Sequence, residues 1–205
     1  QSMAFNVSEL ANYWVHSGMI DINGVKMSKS LGNFITAKDI LSKVDPMVLR
    51  WFLLATQYRD DVNVSDEIIE SSKAELTKII TAYKQACVKL EVNNIKVAGM
   101  NEDAYKRFMD AMADDLNTPN AYAVIFEIVK NINQLVRVKE VNFEALGKEV
   151  NTLVRCMNVL GIVLPDMTMS DEDKKMYQEW MDAKSVKDFE KADKLRTELS
   201  QKGIL

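Results

Sequence analysis

The sequence predicts a mainly helical protein that begins with a short strand-containing piece. Three observations lead there. Helix breakers are scarce, with 7 Gly and 3 Pro among 205 residues, while 12 Met supply flexible apolar side chains. Apolar residues recur at helical spacing through most of the chain after Thr36. Cap residues stand at the heads of those periodic runs.

The elements follow in order. Asn12 to Val25 mixes Tyr13, Trp14, Val15, Ile20, Ile22 and Val25 with two glycines, which predicts two short strands or a strand pair. A Lys/Ser stretch comes next, Lys26-Met27-Ser28-Lys29-Ser30, and Gly32 marks a loop. A short helix is expected from Thr36 or Ala37 to about Val44. Asp45-Pro46 starts another, because Asp accepts from free amides and Pro fits the first helical position. Val48, Leu49, Phe52 and Leu53 form its apolar stripe. Tyr58 to Val64 reads as polar and irregular.

Ser65-Asp66-Glu67 opens a long helix, with two acids at its positive end. Asn93 to Asn101, containing Gly99, reads as a connector. A helix from Asn101 to about Ala113 ends in the turn Asp114-Asp115-Leu116-Asn117. Thr118-Pro119 repeats the cap-plus-proline start. Asn142 caps a helix ending near Gly161, and Ile162 to Met169 is an extended link. Ser170 caps a helix over 171–183, and Ser185 with Asp188 begins a last one, closed by Gly203.

Composition limits the function classes. With 47% hydrophobic and 27% charged residues, wholesale disorder is excluded. A net charge of −4 and a pI near 5.2 provide no global basic field, so a nucleic-acid partner needs local patches. Residues 184–205 form one, with six Lys/Arg against four Asp/Glu. Cys87 and Cys156 lack a partner motif and fall on apolar helix faces, and His16 is the lone histidine. No metal site is therefore expected in the chain. Neither a membrane span nor a signal peptide is visible, and a reducing, cytoplasmic setting is expected.

Lys26 to Ser30 carries the strongest chemical signal. Two ammonium groups three positions apart, with hydroxyls beside them, suit the phosphate oxygens of a triphosphate. By composition alone the string is also an ordinary solvated loop. The upstream Trp14, His16, Gly18 and Gly24 and the following Gly32-Asn33 weigh against that bland reading.

Lys26 to Ser30 matches the KMSKS signature of class I aminoacyl-tRNA synthetases. Tyr13-Trp14-Val15-His16-Ser17-Gly18 resembles the segment preceding it in cysteinyl-tRNA synthetases. Asp45 to Leu54, Tyr58-Arg59, Asn63 to Glu67, Asp114 to Ala121 and Lys187 to Asp193 resemble the same family, in the family's order. The resemblance implies a remnant of a Rossmann catalytic domain with the KMSKS loop over 1–35. It further implies a stem-contact-type helical region over 36–64 and a DALR-like, tRNA-binding bundle over 65–162. Residues 170–205 would be a partial anticodon-binding module. The family's zinc ligands end just before an Ala-Gln-Ser string whose tail Gln1-Ser2 resembles, so zinc is expected only in a longer parent. The chain is expected to be the C-terminal half of a cysteine–tRNA ligase, inactive alone, with tRNA(Cys), L-cysteine and ATP as the parent's partners. A monomer is expected.

The roles carried over are specific. Lys26 and Lys29 would contact ATP phosphates, Met27 would lie near the adenine, and Ser28 and Ser30 would support the loop. His16 either edges the adenylate pocket or is a satisfied strand-end histidine. Arg50 and Arg59 are either helix-type arginines paired with acids or contacts to the tRNA backbone. Asp114-Asp115 is read as turn and cap chemistry rather than as a metal or acid–base pair. Lys184, Lys187, Lys191 and Arg196, at near-helical intervals, are RNA-contact candidates, with an exposed charged helix as the alternative. This end departs from relatives that carry two arginines before the Lys-Asp-Phe string and a Gly-Thr-x-Trp tail. Two other readings remain open: a cysteine:sugar-amine ligase of mycothiol synthesis, against which residues 170–205 argue, and a non-catalytic helical RNA-binding module.

Overall fold

A computed structural model describes residues 11–205. The Gln1-Ser2 resemblance lies outside the described residues. Among the described residues the chain is mainly helical and carries one small sheet, as expected.

Strands β1 (Ile20–Ile22) and β2 (Val25–Lys26) pair antiparallel around Asn23-Gly24. Those two residues have φ of 52° and 76°. A two-residue hairpin turn needs that left-handed backbone, which Asn and Gly adopt at low cost. The expected strand pair is therefore present but confined to Ile20–Lys26, since Asn12 to Met19 forms no regular element. The structure also adds β3 (Val62–Val64), within the segment read as irregular. β3 pairs parallel with β1, Ile20 opposite Val62 and Ile22 opposite Val64, giving the order β2-β1-β3. Three residues carry too little periodicity to announce a strand, and the distant partner decides it.

Helices α1 (Ala37–Leu41) and α2 (Pro46–Leu54) lie between β2 and β3. Then come α3 (Asp66–Val92), α4 (Glu102–Ala113), α5 (Thr118–Arg137), α6 (Phe143–Val159), α7 (Asp171–Ser185) and α8 (Phe189–Gln201). The caps at Asp45, Ser65, Asn101, Asn142 and Ser170 each accept from a first-turn amide. Four boundaries differ from expectation, one of them the end of α7, which runs to Ser185 rather than stopping at 183. α1 stops at Leu41, short of Val44. Asn117, not Thr118, caps α5. Asp188, not Ser185, caps α8, because the Ser185 hydroxyl donates back to the Asp182 carbonyl inside α7.

The core runs through α3 to α6. Ile79, Ala86, Phe108, Ile125, Ile132, Leu146, Leu153 and Cys156 have no exposed surface. Burying one such Leu or Ile side chain contributes about 1.5–3 kcal/mol. α2 joins through Trp51, which stacks on Tyr122 with centroids 3.8 Å apart. The Tyr122 hydroxyl donates to the Trp51 carbonyl at 2.8 Å. Ile162, Met167 and Met169 of the extended link are also buried, as are Leu199 and Ile204. The α7–α8 hairpin thus shares the bundle's core. By contrast, none of residues 11–47 is buried. Among the described residues no helix is long and apolar enough to cross a membrane.

Candidate functional site

The Lys/Ser loop leaves the hairpin at Lys26 and closes on itself. The Met27 amide donates to the Ile20 carbonyl at 3.1 Å, continuing the hairpin by one bond. Lys29 to Leu31 forms a single 3-10 turn. Ser28 caps it: its hydroxyl accepts from the Leu31 amide at 3.3 Å and lies 3.0 Å from the Ser30 hydroxyl. Gly32, at φ 69°, folds the chain back. Asn33 then straps the two ends together. Its Oδ1 accepts from the Ser28 amide at 2.9 Å, and its Nδ2 donates to the Lys26 carbonyl at 3.1 Å.

This geometry separates the loop's residues by role. Ser28 and Ser30 bond to each other, and Ser28 also accepts from the loop backbone. Lys26 and Lys29 are exposed, and the Lys29 ammonium rests over the Phe34 ring, 5.5 Å from its centroid. That contact is weak enough to be exchanged for an anion. Met27 is half-buried. His16 is exposed and stacks near Trp14, with centroids 6.4 Å apart. Asn33 was not among the residues predicted for the site. Its signal was faint, since Gly32-Asn33 reads equally well as a loop break.

The hairpin is fixed along one edge by residues 58–64. The Gly18 amide donates to the Tyr58 carbonyl at 2.8 Å, and the Val62 amide to the Met19 carbonyl at 2.8 Å. Asp61 Oδ1 accepts from the Met19 amide at 2.6 Å, and Asn63 Oδ1 accepts from the Gly24 amide at 2.8 Å. Gly18 is required here: a Cβ would stand 2.1 Å from the Asp60 carbonyl oxygen.

The arginines behave differently from each other. Arg50 has no acidic partner among the described residues, so the expectation of acid pairing fails there. Its guanidinium lies over Gly161, where a Cβ would sit 3.1 Å from Nη1. Arg59 does pair with an acid. Its Nη2 is 2.9 Å from Asp115 Oδ2, and its Nε donates to the Tyr58 hydroxyl at 3.0 Å.

Lys184, Lys187, Lys191 and Arg196 do not share one helix, which corrects the spacing argument. Lys184 is on α7, Lys187 is in the turn at φ 60°, and Lys191 and Arg196 are on α8. Lys184 and Arg196 do line one groove of about 970 Å³ between α3 and the α7–α8 hairpin, with Trp180 and Phe189. Lys184 lies 4.3 Å from the Trp180 ring centroid. Lys187 and Lys191 are exposed and lie outside that groove.

The described residues do not fit a zinc ion. No three His, Cys, Asp or Glu among them gather as a donor set. Burial pushes the Cys156 thiol up to about 12 and Cys87 up to about 11, so neither presents a thiolate at neutral pH.

Residues 1–74 match the family described as tRNA synthetases class I (C) catalytic domain, and residues 107–164 match the DALR domain. The cysteine–tRNA ligase of Oceanobacillus iheyensis is 36% identical over 214 aligned residues, covering 100% of this chain and 46% of the relative. Those of Leuconostoc citreum and Geobacillus thermodenitrificans are each 35% identical, covering 100% of this chain and 45% of the relative. The chain spans about half the length of these curated relatives. The chain thus joins a stretch similar to a class I tRNA synthetase catalytic domain to a DALR domain, and its likeness to cysteine–tRNA ligases runs along its whole length.

Proposed function

We propose that this chain is part of a cytoplasmic enzyme that activates L-cysteine with ATP and transfers it to tRNA(Cys). In the first step the cysteine carboxylate attacks the α-phosphorus of ATP. The bond to pyrophosphate breaks, and cysteinyl-adenylate forms. In the second step a terminal ribose hydroxyl of the tRNA attacks the activated carbonyl, loses its proton and releases AMP.

The observation that carries this reading is the loop's division of labour. Its hydroxyls and Asn33 are spent on holding the loop, while Lys26 and Lys29 keep free ammonium groups on its surface. Two positioned cations neutralise charge as it grows on departing pyrophosphate, and this lowers the barrier more than it strengthens ground-state binding. Lys29 leaves the face of Phe34 to do so. Ser28 and Ser30 hold the turn, Met27 borders the adenine, and His16 edges the adenylate. The family's zinc has no donor set among the described residues, and no step here passes through it.

The helical part is the proposed tRNA side. Residues 36–64 form a stem-contact region, 65–162 the DALR-like bundle, and 170–205 part of an anticodon-binding module. Arg50, Lys184, Lys187, Lys191 and Arg196 are its proposed phosphate and base contacts. The groove holding Trp180, Lys184 and Arg196 combines a stacking surface with positive charge, as single-stranded RNA requires.

Lys29→Ala in the whole ligase tests the first step. Cysteine-dependent ATP–pyrophosphate exchange should fall by about a hundredfold, the scale of losing one electrostatic donor, with cysteine binding little changed. An unchanged exchange rate overturns the assignment.

A further inference from the structure

We propose that Asp115, gripped by Tyr58 and Arg59, is a positioning residue that sets the Lys26–Ser30 loop relative to the helical bundle. The inference rests on the function proposed above.

The argument begins with the two faces of residues 56–64. One face is committed to the hairpin. It supplies the parallel pairing of β3 with β1 and the side-chain oxygens of Asp61 and Asn63 that hold the Met19 and Gly24 amides. The hairpin in turn holds the loop, through Met27 to Ile20 and through the Asn33 strap. The other face is committed to the turn between α4 and α5. The Tyr58 hydroxyl donates to Asp115 Oδ1 at 2.8 Å, and the Arg59 guanidinium takes Oδ2 at 2.9 Å. The Thr118 hydroxyl and the Gln57 amide add longer bonds to the Thr56 and Asp115 carbonyls, at 3.4 and 3.5 Å. Both carboxylate oxygens of one bundle residue are thus held by the segment that carries the loop.

Stability does not explain this arrangement. The Arg59 and Asp115 side chains are 64% and 48% exposed, and ion pairs so exposed contribute little to folding. What the pair supplies is direction, since a carboxylate held at both oxygens fixes orientation as well as distance. The turn is unusual as well. Asp115 and Leu116, neither of them glycine, have φ of 53° and 55°. Such a turn persists where its surroundings hold it: the Leu116 and Asn117 amides bond back to the end of α4, and Tyr58 and Arg59 hold the Asp115 side chain. The turn lies at the head of α5, so a displacement of the bundle reaches the lysines through Asp115, Arg59, β3 and β1.

The test uses Asp115→Asn, which keeps an acceptor for Tyr58, tolerates the left-handed backbone and removes only the charge facing Arg59. In the whole ligase, kcat for cysteine-dependent ATP–pyrophosphate exchange should fall about tenfold, the effect of a small misplacement. The KM for cysteine and the melting temperature should hold, the latter within about 2 °C. Arg59→Lys should recover part of the rate lost in Arg59→Gln, and Arg59→Gln with Asp115→Asn should cost no more than either alone. In the 205-residue chain itself, deuterium uptake at residues 19–33 should rise in Asp115→Asn while uptake in α5 stays unchanged. Equal exchange rates per active site, or equal uptake in the hairpin, overturn the inference. A wild-type ligase with no cysteine-dependent exchange overturns instead the function on which it rests.

Discussion

The hairpin with its loop and the helical bundle are held by different forces. Between residues 11 and 47 no side chain is buried, and order comes from hydrogen bonds at defined distances: Gly18 to Tyr58, Met19 to Asp61, Gly24 to Asn63, Asn33 to Lys26. The bundle instead buries Trp51, Phe108, Ile125, Leu146 and Leu153 almost completely. Directional bonds near water hold geometry while contributing little energy, so such a region moves at low cost. Buried apolar area contributes energy and resists rearrangement. The difference places an adjustable cationic loop on a rigid body.

The largest effect that sharpens this contrast is core truncation. Ile125→Ala should lower unfolding free energy by about 2–5 kcal/mol, whereas Ile20→Ala on the exposed hairpin should cost under about 1 kcal/mol. Urea denaturation monitored by circular dichroism distinguishes them, and equal losses would break the comparison. Next is Tyr122→Phe, which strips the Trp51 carbonyl of its buried donor. It should cost about 1–2 kcal/mol, read in the same titration.

Gly18→Ala acts on the other region. A Cβ 2.1 Å from the Asp60 carbonyl forces the hairpin away from residues 58–64. Amides of Met19, Gly24 and Val62 should exchange about tenfold faster or more, with the bundle's cooperative unfolding unchanged. Loss of bundle stability in that variant would show that the two regions are not separable. The smallest effect is acid sensitivity at the end of the chain. Lys202 donates to Asp173 and holds its carboxyl below the usual carboxylate range. Stability from that pair is therefore fully present above about pH 4, the unfolded value, and is lost as pH falls through the lower folded value. Deuterium uptake in α7 and α8 should rise below about pH 4, and Asp173→Asn should flatten that dependence.

The legibility of each region in the sequence follows the same division. Helix starts at Asp45, Ser65, Asn101, Asn142 and Ser170 were readable because a cap bonds within three residues of itself. The Lys/Ser segment was readable as a loop because Gly32 breaks the pattern beside it. β3 was not, since its partner lies about forty residues earlier. Arg59 and Asp115 each carried only a local reading, and their pairing joins the α2–α3 connection to a turn two helices further on. The four C-terminal cations looked like one face until the turn at Val186 to Asp188 divided them, with Lys184 on α7, Lys187 in the turn, and Lys191 and Arg196 on α8.

The amino-acid sequence by itself determined the helical class, most helix boundaries, the cationic loop and the resemblance to a synthetase family, because these depend on interactions within a few residues or on residue identity. Tertiary structure alone decided the third strand, the Asn33 strap, the Arg59–Asp115 grip and the pairing of Lys184 with Arg196 across one groove. Each of these depends on which distant groups the folded chain brings within hydrogen-bond or contact distance. Closing those distances is a property of the whole packed core, and no local run of residues encodes it.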